Sequence, residues 1–143
     1  MRADTIILIA NTLWFCGAFI QFTLAQNNTV KILVPREERN NPIVPTLGAS
    51  VAFLGAMNLP IGILNAYLLT RPDWFSAPGV AVTLFVFFGA CHFSQTACNI
   101  PVLLRGGRIG VAYWPVLSGA MLRIFVIDTV LTVVNLAYAA AIA

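Results

Sequence analysis

Residues 111–142 read VAYWPVLSGAMLRIFVIDTVLTVVNLAYAAAI. The run is apolar and long enough to cross a bilayer as a helix, which takes about 20 residues, yet Arg123 and Asp128 stand near its middle. Inserting Arg or Asp at a helix centre costs roughly 2.5 to 3.5 kcal/mol even on the gentler insertion scale. Two such charges need a partner, a cavity or a task.

Three further apolar stretches precede this one, at about residues 5–25, 46–69 and 77–99, each near the spanning length. Composition agrees. Of 143 residues 59% are hydrophobic and 9% charged, whereas a soluble domain carries about 25% charge. The expected fold is all-α: one domain over residues 1–143, an integral membrane, multi-pass four-helix bundle. Arg2 ahead of the first stretch and Thr23-Leu24-Ala25 at its end faintly match a secretory leader with a small-residue cleavage site; we expect the stretch to remain as the first span.

Lys31, Arg36 and Arg39 lie in the first loop and Arg105 and Arg108 in the third, whereas Arg2 and Arg71 lie on the other side. The positive-inside bias then puts both termini on the outer or lumenal side, in the endoplasmic reticulum or a bacterial inner membrane. The Asn27-Asn28-Thr29 sequon faces the cytoplasm in that orientation and is expected to stay unmodified. The net charge of +3 reflects the same bias. With no basic cluster interleaved with aromatics, no nucleic-acid partner is expected.

Pro35, Pro42 and Pro45 with Asn40 and Asn41 break the first loop, Arg71-Pro72-Asp73 closes the second span, and Arg105-Gly106-Gly107-Arg108 forms a third turn. That glycine pair lacks the lysine and strand-to-helix setting of a phosphate loop. Trp74, Tyr113, Trp114 and Tyr138 fall near span ends, where amphipathic rings anchor at the interface. Cys16, Cys91 and Cys98 all lie in spans with no Cys-x-x-Cys pair, so neither disulfide nor redox chemistry is indicated. One histidine, His92, does not make a metal site. Haem through His92 alone stays open, but no metal and no cofactor is expected.

Polar residues inside the spans mark candidate function. Counting about 1.5 Å per residue from the cytoplasmic ends, Arg123 and Asn58 lie roughly 16 to 18 Å deep with His92 slightly shallower, and Asp128, Asn65 and Asn11 roughly 20 to 27 Å deep. Gln95, Asn99 and Gln21 lie nearer the cytoplasm. His92, Gln95 and Asn99 follow an i, i+3, i+7 stripe, and Asn58 and Asn65 stand seven apart, so each set forms one polar helix face. Interhelical hydrogen bonding, worth about 1 kcal/mol or less each, accounts for such amides at the simplest. Arg123 and Asp128 are about 140° apart around a helix, so each is expected to meet a different neighbour. An arginine there can hold an anionic headgroup or polarise an oxygen, and a desolvated aspartate can act as general acid or base; a structural salt bridge is the competing reading. Pro60 predicts a kink beside Asn58. Gly48, Ala52, Gly55 and Ala56, with Ser118-Gly119-Ala120, predict close helix approach or oligomer contacts.

The four-span plan, the Asn58-Leu59-Pro60-Ile61 run, and His92 followed thirteen residues later by Arg105 resemble the MAPEG superfamily of membrane glutathione transferases and eicosanoid synthases. That resemblance implies a trimer with lipophilic substrates entering from the bilayer. Leu54 and Met57 stand where members carry polar residues just before the proline, which implies a glutathione-independent chemistry. Thr46-Leu47-Gly48 and His92-Phe93-Ser94 are similar to the four-span scaffold proteins of ergosterol biosynthesis, although Gln95 stands where those have an acidic residue.

The function expected is binding of a lipophilic small molecule or lipid within the bilayer, as an isomerase, cyclase or transferase. Asp128, Arg123 and His92 are the candidate catalytic residues, and Asn58, Asn65, Gln95, Asn11 and Asn99 the candidate substrate-binding residues. The alternative is a non-catalytic scaffold or accessory subunit of a larger membrane complex. A homo-oligomer or a complex is expected in either case, and a transporter is disfavoured because four spans leave little room for alternating access.

Overall fold

The computed structural model describes residues 2–109 and 112–143. Val111, where the sequence places the start of the fourth span, lies outside the described residues, as do the side chains of Arg108 and Tyr113. The described chain is helical apart from loops and a two-residue-per-strand hairpin, β1 (Arg108–Ile109) with β2 (Ala112–Tyr113). Four helical segments are long and apolar enough to cross a membrane: Ala3–Leu24, Val44–Leu69, Pro78–Leu104 and Gly119–Ile142.

The first is helix α1 (Ala3–Phe19), which loosens into a π-turn over Ile20–Leu24. There the amide of Ala25 reaches the carbonyl of Ile20. The first loop, expected to be irregular, contains a short helix, α2 (Gln26–Leu33). Arg39 closes its C-terminal end by donating to the carbonyls of Val34 (3.1 Å) and Lys31 (2.7 Å), where a cation also complements the helix dipole. Thr29, buried on α2, donates to the carbonyl of Gln21 and accepts from the Gln21 side chain. The helix is thereby tied to the π-turn.

The second span is broken into α3 (Val44–Ala56) and α4 (Asn58–Leu69) at Met57. The expected kink is there, and its cause is visible. Pro60 has no amide to offer the Ala56 carbonyl, and the Asn58 side chain donates to the Gly55 carbonyl at 3.0 Å. Helix α5 (Pro78–Leu104) runs on five residues beyond the predicted 99, with Pro101 inside it.

The fourth helix, α6 (Gly119–Ile142), starts later than the apolar run suggests. After the turn at Gly106 and Gly107, both at positive φ, the Trp114 amide donates back to the Gly107 carbonyl and the Ser118 amide to the Pro115 carbonyl. Gly119, at φ +57°, then turns the chain into the helix. Hydropathy cannot distinguish this folded-back segment from the span it precedes. Arg123 consequently sits about 6 Å along α6, within its second turn, while Asp128 lies about 13 to 14 Å along it. Arg123 and Asn58, expected at equal depth, both line one cavity.

Helix α5 packs along α6 and α1 along α4, with α1 also meeting α6. Ile7, Leu8, Leu68, Phe85, Phe88 and Ala139 form an apolar core at the end of the bundle that carries both termini. Tyr138 packs edge-on against Phe85 at 4.7 Å between ring centroids, so it serves the core as well as the span end. Outside that core, Arg71 reaches Asp73 and the Tyr67 hydroxyl and lies over the Trp74 ring. Its guanidinium holds the Asp73 carboxyl below the usual carboxylate range by hydrogen bonding.

Gly62 sets how closely α1 and α4 approach. A methyl group there would lie 2.7 Å from the Cys16 sulfur and 3.2 Å from the Cys16 backbone nitrogen, and backbone cannot move aside cheaply. Gly62→Val is therefore expected to destabilise the protein by about 1 to 3 kcal/mol, the range for overpacking. Gly17→Ala, with nothing within 4 Å of the added methyl, should be neutral or slightly stabilising. Thermal unfolding of the two variants in one detergent, read by circular dichroism, checks the difference.

Candidate functional site

Asp128 is 2% exposed and His92 fully buried. The Asp128 Oδ1 oxygen accepts from the indole N–H of Trp14 at 2.7 Å and lies 2.9 Å from His92 Nδ1. Phe15 stacks on the imidazole with centroids 4.5 Å apart. The other ring nitrogen, Nε2, is 3.2 Å from Oδ1 of Asn11. Three helices thus meet at one carboxylate: α1 supplies Trp14, Phe15 and Asn11, α5 supplies His92, and α6 supplies Asp128. Asp128 and His92 do fall at one level, unlike the separate layers expected from residue counting, because an imidazole and a carboxylate reach along the helices as well as between them.

The hydrogen-bond partners around the imidazole constrain its protons. Asn135 donates through Nδ2 to the carbonyl of Leu131 at 2.7 Å, which orients its amide and leaves Oδ1 as an acceptor for Asn11 Nδ2 at 2.9 Å. The Oδ1 of Asn11 is then the acceptor that faces both Asn135 Nδ2 and His92 Nε2. An acceptor opposite Nε2 requires that Nε2 carry a hydrogen. Between Nδ1 and the Asp128 oxygen, two lone pairs cannot face each other at 2.9 Å, so one proton lies there, on nitrogen or on oxygen. Either way the pair has no net charge. Asp128 Oδ2 has no hydrogen-bond partner among the described residues.

Beside the carboxylate lies a cavity of about 620 Å³, within the roughly 300–1,000 Å³ of small-molecule sites. It occupies the end of the bundle that carries α2 and the Gly106–Gly107 turn. Asp128 and Trp14 line it, as do Arg123, Asn58, Gln95 and Asn99, and its walls are mainly apolar, including Leu54 and Ile124. The predicted site residues therefore divide. Arg123, Asp128, Asn58, Gln95 and Asn99 come together around one cavity. His92 and Asn11 are sealed behind Asp128 and do not line it. Asn65 is fully buried away from it, donating to the Ile61 carbonyl, with its Oδ1 unpartnered among the described residues.

Arg123 has no ion-pair partner among the described residues. Asn99 donates to the Gln95 carbonyl and accepts from Trp114 Nε1 at 3.0 Å, so Trp114 is a cavity wall as well as a span-end ring. The sequence reading missed Trp14, Phe15 and Asn135. Helical spacing carried the signal: Trp14 and Phe15 follow Asn11 by three and four residues, and Asn135 follows Asp128 by seven. Among the described residues no three His, Cys, Asp or Glu side chains gather as a metal site would need. No family model, curated protein or solved structure matches the chain.

The chain has one histidine, so nitrogen-15 histidine labelling reports His92 alone. NMR is expected to show Nε2 protonated, with Asp128→Asn changing the Nδ1 signal and leaving Nε2–H in place; an unprotonated Nε2 in the wild type would contradict the assignment. Asn11→Leu removes the acceptor for Nε2 and the partner of Asn135. It should lower stability by about 1 to 3 kcal/mol for each group left unpaired, seen as a fall in unfolding temperature.

Proposed function

We propose that this protein is a membrane-embedded enzyme of isomerase, cyclase or transferase type. It takes a lipophilic small molecule into the cavity beside Asp128, and both termini face the outer or lumenal side. The observation that carries the reading is that Asp128 joins two features: its Oδ1 lies 2.9 Å from Nδ1 of buried His92, and the same residue lines a cavity of ligand size. With the shared proton on Nδ1, the carboxylate can take a proton from one substrate carbon or oxygen at Oδ2 and return the same proton to another substrate atom, while the Nδ1–H of His92 goes on donating to Oδ1. His92 therefore acts through Asp128 and does not touch the substrate. Asn11 and Asn135 hold its tautomer, much as a third group orients the base in other acid–base sites. Arg123, on the same helix and lining the same cavity, supplies positive charge that holds a negatively charged oxygen of the substrate.

The orientation rests on five basic residues in the first and third loops against two on the opposite side. It places the cavity at the cytoplasmic end. MAPEG-like assembly as a trimer is part of the proposal. A second reading, a non-catalytic subunit of a larger membrane complex, is favoured by one observation: Arg123 is exposed and unpaired among the described residues and would then meet a carboxylate of another chain.

Native mass spectrometry of the purified wild type, Asp128→Asn and Arg123→Gln separates the two. In Asp128→Asn the new amide oxygen would still accept from Trp14, so the fold should survive. The enzyme reading predicts a co-purifying lipophilic mass on the wild type that is depleted at least several-fold in the variants, with the oligomer unchanged. Collapse of the assembly in Arg123→Gln, with no small molecule ever bound, would establish the subunit reading.

A further inference from the structure

We infer that the cavity is built for an amphiphile with one anionic head, a carboxylate or a phosphate, whose head pairs with Arg123 and whose apolar body reaches inward past Asp128. The inference rests on the cavity being a ligand site and deepens that reading by naming the ligand class.

The argument is one of charge. Among the described residues Arg123 is the one basic side chain lining the cavity and Asp128 the one acidic side chain. Asp128 is not available to neutralise Arg123, because its proton is shared with His92 and the pair carries no net charge in either form. No other carboxylate lies within ion-pairing distance of Arg123 among the described residues. The remaining polar lining groups are neutral, chiefly the amides of Gln21, Asn58 and Gln95. The lining thus has an uncompensated positive charge beside mainly apolar walls, where a neutral lipophile would leave the guanidinium without a counter-ion and an anionic head would satisfy it by charge-assisted, bidentate hydrogen bonds.

Geometry agrees. Arg123 lies about 6 Å along α6, near its N-terminal end, and Asp128 about 7.5 Å farther along it. Ala120, Arg123, Ile124, Ile127 and Asp128 all line the cavity, so one face of α6 presents a cation, then aliphatic wall, then the acid. An amphiphile lying along this face with its head at the outer edge would bring a carbon of its chain, not its head, to Asp128 Oδ2.

The test uses the full chain in nanodiscs of a zwitterionic lipid, with tryptophan fluorescence as readout. Trp14 and Trp114 line the cavity and Trp74 does not, so a Trp74→Phe background reports the site. Dodecanoate, dodecyl phosphate and dodecanol share one chain and differ in the head. Both anions are expected to bind about tenfold or more tighter than the alcohol. Arg123→Gln should reduce that preference to near unity without weakening the alcohol, and Arg123→Lys should keep most of it. Competition by phosphatidate in the nanodisc would identify a bilayer lipid as the source of the head; undiminished binding would identify a free amphiphile. Equal binding of all three probes to the wild type would overturn the anionic-head inference alone. No quenching by any probe would overturn the cavity reading itself.

Discussion

A carboxyl group in the middle of an apolar helix must be compensated by its neighbours, and the arrangement around Asp128 depends on how that is done. Trp14 and His92 both reach Oδ1, which draws α1 and α5 to α6 at one level. The amides of Asn11 and Asn135, hydrogen-bonded to each other and to the Leu131 carbonyl, lock the far side of the imidazole. Lipid offers no hydrophobic drive between helices, so hydrogen bonds and close approach must supply specificity. This network and the Gly62 contact with Cys16 provide both. The apolar core of Ile7, Leu68, Phe85 and Phe88 then fills the end of the bundle that the network leaves unspecified.

The opposite end does not fill. The π-turn, the break at Met57 and the late start of α6 each divert a helix where a straight one would have packed. Helix α2 lies across the resulting space, tied by Thr29 to Gln21. The cavity is a consequence of these interruptions. Pro60 and Gly119 are local backbone constraints, and they set where the helical layer is interrupted. Structure and proposed chemistry thus share a cause: the residues that interrupt the helices open the space onto which Asp128 faces.

Much of this was legible in sequence. Four spans followed from hydropathy, and the kink followed from Pro60. Asp128, Arg123, Asn58, Gln95 and Asn99 stood out as polar residues in apolar helices, and they share the cavity. What could not be read was partnership. Asp128 and His92 are 36 residues apart and Asn11 and Asn135 are 124 apart, and no local spacing couples such positions. The start of the fourth helix was misplaced because the apolar run continues through residues that form a short hairpin and turn before Gly119. Trp14 was hidden for a different reason. An aromatic in a span reads as bulk, and its single donor matters only once a carboxylate lies opposite.

The central claim is that the space beside Asp128 is a ligand site and not merely a packing defect. Photolabelling with a long-chain amphiphile carrying a diazirine, followed by peptide mass spectrometry, tests it most directly. The account predicts labels concentrated on cavity residues such as Trp14, Leu54 and Ile124, and competed by an unlabelled amphiphile. Labels confined to residues outside the cavity, such as Leu13, Phe53 and Val130, with no competition, would contradict it.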